Sequence, residues 1–246
     1  MNCAHCNGHY LKRMIPAERW QASKNYENKS VLISGGCDRN GKVPFGHFLH
    51  VFKDIKRAGL KINLHSGLVD IKEIEHISTF ADTVSFDFVG DSDTVREVYG
   101  LRKEVSDYVD VYKELRKRVR VIPHICIGLR GGQISGEFKA LNLLRDIGAD
   151  GLVFLIFRPT RGTRFSDALP PSPEDVARVL CKARTVLPQV PLHLGCMRPG
   201  GEYRRKVDRL ALHCGVNKIV QPASGIEVLA AILGLNIKLG EECCVL

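Results

Sequence analysis

A chain of 246 residues, 44% of them hydrophobic and 26% charged, can bury one large core and has the ordinary balance of a globular protein. No apolar run reaches the roughly 18 residues of a membrane span and no secretory leader is visible, so a cytoplasmic protein with no membrane partner is expected. The net charge of +9 is scattered except at Arg116-Lys117-Arg118-Val119-Arg120, which reads as a helix end where cations suit the dipole; an acidic protein or substrate is a better expected partner than nucleic acid.

The chain opens on Cys3-Ala4-His5-Cys6-Asn7-Gly8. Two cysteines three positions apart place two thiols on one side of a tight loop, a spacing shared by zinc ribbons, redox dithiols and iron–sulfur proteins. Ile15 to Lys24 reads as a helix, and Val31-Leu32-Ile33-Ser34 as a short buried strand that runs into Gly35-Gly36-Cys37. Gly46 to Ala58 is amphipathic, with Phe48, Val51, Phe52 and Ile55 at helical spacing and Gly59 as its stop. Lys61 to His65 is a strand, Asp70 caps a helix through Ile77, and Thr83 to Asp87 is the next strand. A helix is predicted from about Ser106 to Lys117 and a strand from Arg120 to Ile127, followed by Gly128 and the flexible Gly131-Gly132.

The second half repeats the unit. Ser135 to Ile147 is a helix ended by Gly148, and Leu152 to Phe157 a strand ended by Pro159. A helix opens at Pro173, in the first-turn position proline favours. Pro191 to Leu194, Glu202 to Cys214, Lys218 to Val220 and Ile226 to Leu233 complete the alternation. Seven strands, each followed by a helix, imply a parallel sheet with right-handed crossovers. A doubly wound open sheet is the alternative. A (β/α) barrel is preferred because chemistry-bearing residues recur after most strands, where a barrel gathers its site. No break reads as a linker, so residues 1–246 are expected to form one domain with a short cysteine-containing tail at about 237–246.

The nine cysteines are odd in number and fall mostly inside predicted elements. They point to a reducing compartment with cluster ligands and buried thiols rather than a disulfide framework. Cys181 and Cys214, on helices, read as small buried hydrophobes. Ser85 and Asp87 alternate onto one strand face, where buried polar groups need partners from substrate, cofactor or neighbouring strands. His65 reads equally as a core histidine. Arg158 to Thr163 offers two arginines and hydroxyls that suit a carboxylate, or forms a solvated turn.

The cysteine loop, the following strand that ends in a double glycine and the alternating β/α chain together resemble the radical S-adenosylmethionine (SAM) enzymes, and more narrowly the biotin and lipoyl synthase group, including the archaeal-type lipoyl synthases that work as a pair. The resemblance implies a radical SAM-type, TIM-like (β/α) barrel, partial or lacking its first strand. It implies a 4Fe–4S cluster on Cys3 and Cys6, and SAM held by Ser34, Gly35, Gly36, Ser85, Asp87, Gly128 and Leu129. The implied reaction is reductive cleavage of SAM to a 5′-deoxyadenosyl radical that takes hydrogen from an unactivated carbon, with sulfur then inserted into an octanoyl chain. Cys37, Cys126, Cys196, Arg198, Cys243 and Cys244 are the candidates for a second, auxiliary cluster. The expected partners are an octanoylated carrier protein or small-molecule substrate, a second radical SAM subunit, and an electron donor such as ferredoxin. The family loop normally reads C-x-x-x-C-x-x-C, and its first cysteine would precede Met1; a start placed too late is the expected reason. Another radical SAM reaction (a methylation, a mutase step or cofactor biosynthesis) and a non-catalytic partner subunit are the alternatives.

Overall fold

The computed structural model describes residues 3–20 and 29–246. Its frame is one seven-stranded sheet whose strands lie in chain order: β1 (Ser30–Ile33), β2 (Lys61–His65), β3 (Thr83–Asp87), β4 (Val121–Ile127), β5 (Leu152–Ile156), β6 (Leu192–Leu194) and β7 (Lys218–Ile219). Every neighbouring pair is parallel. A sheet of that order, with a helix crossing over after each strand, curls into an arc that leaves β1 and β7 as its two edges. It is a partial (β/α) barrel.

The helices are α1 (Leu49–Arg57), α2 (Ile71–Ile77), α3 (Ser92–Thr94), α4 (Val105–Arg116), α5 (Glu137–Ile147), α6 (Pro173–Val186), α7 (Gly201–His213) and α8 (Ile226–Ile232). Their starts follow local chemistry. Asp70 accepts from the Glu73 amide at 3.0 Å while Glu73 reaches back to the Asp70 amide, a reciprocal cap on α2. Ser172 accepts from the Asp175 amide at 3.0 Å, with Pro173 as the first residue of α6. The stripe Val176, Val179, Leu180 and Ala183 then lies fully against the sheet, each large apolar side chain adding about 1.5–3 kcal/mol by leaving water. Phe86 of β3 packs between Tyr108 and Tyr112 of α4, which carries the core from the sheet to its outer layer.

Four expectations change. Ile15 to Lys24 is not a helix over its described part: Ala17–Arg19 is a single 3-10 turn and Trp20 is extended, and residues 21–24 lie outside the described residues. Pro16, extended just before the turn, has no amide to give a longer helix. Strand β1 is not buried, because Leu32 is 47% exposed on the edge of the arc. A helical segment the sequence hid follows β3: Asp91 accepts from the Thr94 amide at 2.7 Å to start α3, which widens into a π turn over Val95–Tyr99. Cys181 is exposed, and with Cys214 it forms a disulfide joining α6 to α7. The two helices pack side by side and bring the two Cα atoms to 4.7 Å, within the reach of such a bond.

Candidate functional site

In a barrel of this kind the carboxyl ends of the strands form the mouth. The cysteine loop lies there. Its Ala4 amide donates to Val98 O of the π turn at 2.8 Å. Tyr10 and Thr160 share a hydroxyl hydrogen bond of 3.1 Å, and the Arg158 guanidinium lies 5.6 Å from the Tyr10 ring centroid. Thus the Arg158–Thr163 turn, a candidate carboxylate site in the sequence, clasps the loop from the β5 side. His5 packs against both Tyr10 and Phe157.

The clasp buries Cys3 and Cys6, which share an apolar cluster with Val98 and Leu129. Their thiols face each other, and the hydrogen bond from Cys6 brings Cys3 down to about 7 while Cys6 is raised. The mutual hydrogen bond thus favours one shared negative charge over two on the pair. Burial holds His5 neutral, down to about 4, and its Nδ1 is buried without a hydrogen-bond partner. An orphaned ring nitrogen between two buried thiols is costly unless the loop encloses a further group. The donor chemistry fits an iron–sulfur cluster at two positions. Among the described residues no third histidine, cysteine, aspartate or glutamate joins them in a metal-holding group.

Beside the loop is a cavity of about 310 Å³ walled by Cys3, Cys37, Leu68, Asp87, Tyr99 and Tyr108, among others. Asp87 ends β3 with its side chain exposed to this space, and the protein wall around it raises its pKa while neighbouring His65 lowers it. His65 is in turn kept toward the neutral form by burial, with Asp87 opposing. Behind it, His124 of β4 has its ring centroid 5.7 Å away and is held neutral by burial, down to about 3. His124 went unnoticed as a partner of His65 because the contact joins strands about 60 residues apart in the chain.

The other residues singled out by the sequence are distributed as follows. Ser34, Gly35 and Gly36 follow β1, all half-buried, and a Cβ on Gly35 would sit 3.0 Å from Val43. Ser85 donates to Asn63 Oδ1 at 2.8 Å inside the sheet, so the neighbouring strand already satisfies it. Gly128 has φ 71°, and its amide donates to Glu137 Oε1 at 2.7 Å. Glu137, absent from the sequence reading, is a buried carboxylate that also takes the Ser135 amide at 2.7 Å. It fixes the turn that seats Leu129 beside the cysteine loop.

The six auxiliary-cluster candidates are not brought together. Cys37 lines the cavity with Cys3, burial pushing its thiol up to about 12, and Cys126 packs at the fringe of the Cys3–Cys6 cluster. Cys196 is exposed at the far side of the mouth. Arg198 points away from the mouth into a fully buried pair with Asp208 of α7, with Nε at 2.8 Å and Nη2 at 3.0 Å from its two oxygens. Its other donors go to the carbonyls of Gly195, Val220 and Gln221, so no N–H remains for a ligand. Cys243 and Cys244 lie at the opposite end of the barrel, where Val245 packs on Ile122 and Val153 near the strand starts. Among the described residues no helix is long and apolar enough to cross a membrane.

No family model matches the sequence, and no curated protein matches it. Solved structures do. Methylornithine synthase (PylB) superposes with a TM-score of 0.55 at 16% identity, over 80% of this chain and 64% of that one. The FeFe-hydrogenase maturase HydG from Carboxydothermus hydrogenoformans superposes with a TM-score of 0.61 at 14% identity, over 84% of this chain and 55% of that one. The chain thus spans less than two thirds of either structure, and what it shares with them is the fold, a partial (β/α) barrel.

Proposed function

We propose that this chain carries out radical SAM chemistry, with Cys3 and Cys6 as two ligands of a 4Fe–4S cluster and SAM in the adjoining cavity. The observation that carries the reading is a buried pair of free thiols beside a cavity at the mouth of a partial barrel. The two similar solved structures, both radical SAM enzymes, support it. When bound, the cluster supplies the electron that cleaves SAM. The chain's own residues do the rest: Tyr10, Thr160 and Arg158 fix the cysteine loop, Phe86, Leu101 and Tyr108 keep water from the cavity, and Asp87 offers a carboxyl to a hydroxyl of the bound nucleoside. Its apolar wall suits an octanoyl chain, and sulfur insertion into such a chain, on a carrier protein, is the finer reading. Because the six candidate sulfur-cluster residues are dispersed, we assign the sulfur donor to a second radical SAM subunit, and the electron to a ferredoxin-type donor.

Anaerobic reconstitution with iron and sulfide tests this. The expected product is brown, with 4Fe–4S absorbance and reductive conversion of SAM to 5′-deoxyadenosine; Cys3→Ala and Cys6→Ala each lose both, while Cys196→Ala retains them. A colourless protein that binds only zinc overturns the reading. The two-thiol donor set favours one second reading, a non-catalytic subunit of a complete radical SAM enzyme, for which iron would bind only in the presence of the partner.

A further inference from the structure

The floor of the barrel holds a second thiol pair that the chemistry at the mouth does not use. Residues 241–246 turn under the strand starts and are fixed through their backbone. The Lys218 ammonium donates to Cys243 O at 2.6 Å and to Leu246 O at 2.8 Å. His193 Nδ1 meets Cys244 O at 2.6 Å, and Arg120 donates to Val245 O. Lys29 pairs with Glu241, and Ser30 donates to Glu242. Val245, 1% exposed, is the apolar peg. Cys243 and Cys244 are half-buried beside it. Their thiols hydrogen-bond to each other, Asn63 Nδ2 lies 3.7 Å from the Cys243 sulfur, and His124 Nε2 lies 3.9 Å from the Cys244 sulfur.

We propose that Cys243 and Cys244 form a redox modification site that takes a low-molecular-weight disulfide and closes to a vicinal disulfide, releasing the segment from the floor. Cys243 is the attacking sulfur, since the hydrogen bond from Cys244 stabilises its thiolate, down to about 6. The thiolate attacks one sulfur of glutathione disulfide, forms a mixed disulfide and expels one glutathione thiolate. Cys244 passes its proton to that thiolate and attacks Cys243, forming the intramolecular bond and expelling the second glutathione. Two protein thiols are oxidised and one disulfide is reduced to two thiols.

Adjacent Cα atoms lie about 3.8 Å apart, below the usual disulfide range of about 4.4–6.8 Å. The closed ring is therefore strained and easily reduced, the property of regulatory disulfides rather than structural ones. Closing it turns the peptide between the two residues, whose flanking carbonyls are the acceptors of Lys218 and His193. The fastening and the oxidation thus compete for the same backbone. This site is independent of the reaction assigned to the mouth.

The test incubates the full chain with glutathione disulfide and reads the tryptic peptide 239–246 by mass. The expected product has lost two hydrogens and carries no glutathione. Cys244→Ser should trap one glutathione on Cys243, and Cys243→Ser should react at least about tenfold more slowly, because burial still keeps the Cys244 thiol protonated and a protonated thiol is a poor nucleophile. Deuterium uptake by the same peptide should rise about tenfold on oxidation of the parent chain, as its anchoring hydrogen bonds open. A parent peptide that keeps glutathione, or keeps both thiols open to alkylation, overturns the site. Unchanged deuterium uptake after ring closure overturns the release.

Discussion

The barrel has a thiol pair at each end, and the two ends are built on opposite plans. At the mouth, side chains hold the loop: Tyr10, Thr160, Arg158 and His5 surround Cys3 and Cys6, and a cavity opens beside them. At the floor, backbone carbonyls are held by Lys218, His193 and Arg120, and Val245 packs on Ile122 and Val153 with its side chain buried. A pair of thiols is thus set in two different surroundings: at the mouth it adjoins open space, and at the floor the backbone that carries it is fastened.

The largest expected effect is at the buried ion pair between the turn after β6 and α7. Arg198→Ala leaves Asp208 with the Ala223 amide, 2.8 Å away, as its remaining hydrogen-bond partner among the described residues. The expected loss is about 3–5 kcal/mol of stability, read by urea unfolding, and it should exceed any loss from a cysteine-to-serine change at the floor. A loss under about 1 kcal/mol would mean the pair is hydrated, contrary to its complete burial.

Between the two ends, His124 gives a pH signature. Its folded pKa is depressed to about 3 from 6.5, so the unfolded chain binds the proton first. Stability is full above about pH 6.5 and is lost as pH falls toward 3. The share of His124 is at most roughly 3 kcal/mol between pH 7 and 4. His124→Gln should flatten that part of the profile, measured by denaturant midpoint against pH; an unchanged slope would assign the acid sensitivity to other groups, His5 first.

At the floor the expected effect is smallest. Val245→Ala removes two buried methyl groups and should lower stability by about 1.5–2 kcal/mol, with iron loading at the mouth unchanged. A parallel loss of iron loading would show that floor and mouth are not separate.

The alternating strands and helices were legible because each element carries its own signal: β-branched runs, apolar stripes, the cap at Asp70 and the first-turn Pro173. Elements fixed by contacts distant in sequence were not. Arg198 read as an auxiliary-cluster neighbour because it follows the sixth strand, as the family resemblance implies. Its partner Asp208 lies between Val207 and Ala211 on the buried face of α7, and an acid on an apolar stripe was the available clue. The α3 segment began with Asp91-Ser92-Asp93-Thr94, which reads as loop until Val95 and Val98 are seen to be three apart. The cysteine loop was found from its spacing, but the clasp from β5 was not, since cation–π and hydroxyl contacts leave no periodicity. Cys181 and Cys214 are 33 residues apart, and only the packing of α6 on α7 reveals that they meet.

Chain-order strand pairing has one more consequence, for assembly. Each strand finds its neighbour within one β/α unit, so the arc can zip up progressively from either side, as low contact order favours. The ties from Lys29 and Ser30 to Glu241 and Glu242 are the exception, spanning 212 residues. During synthesis the foot of β1 emerges early and waits for a segment that follows all seven strands. The floor segment is thus made after all seven strands, and its fastening to β1 waits on them.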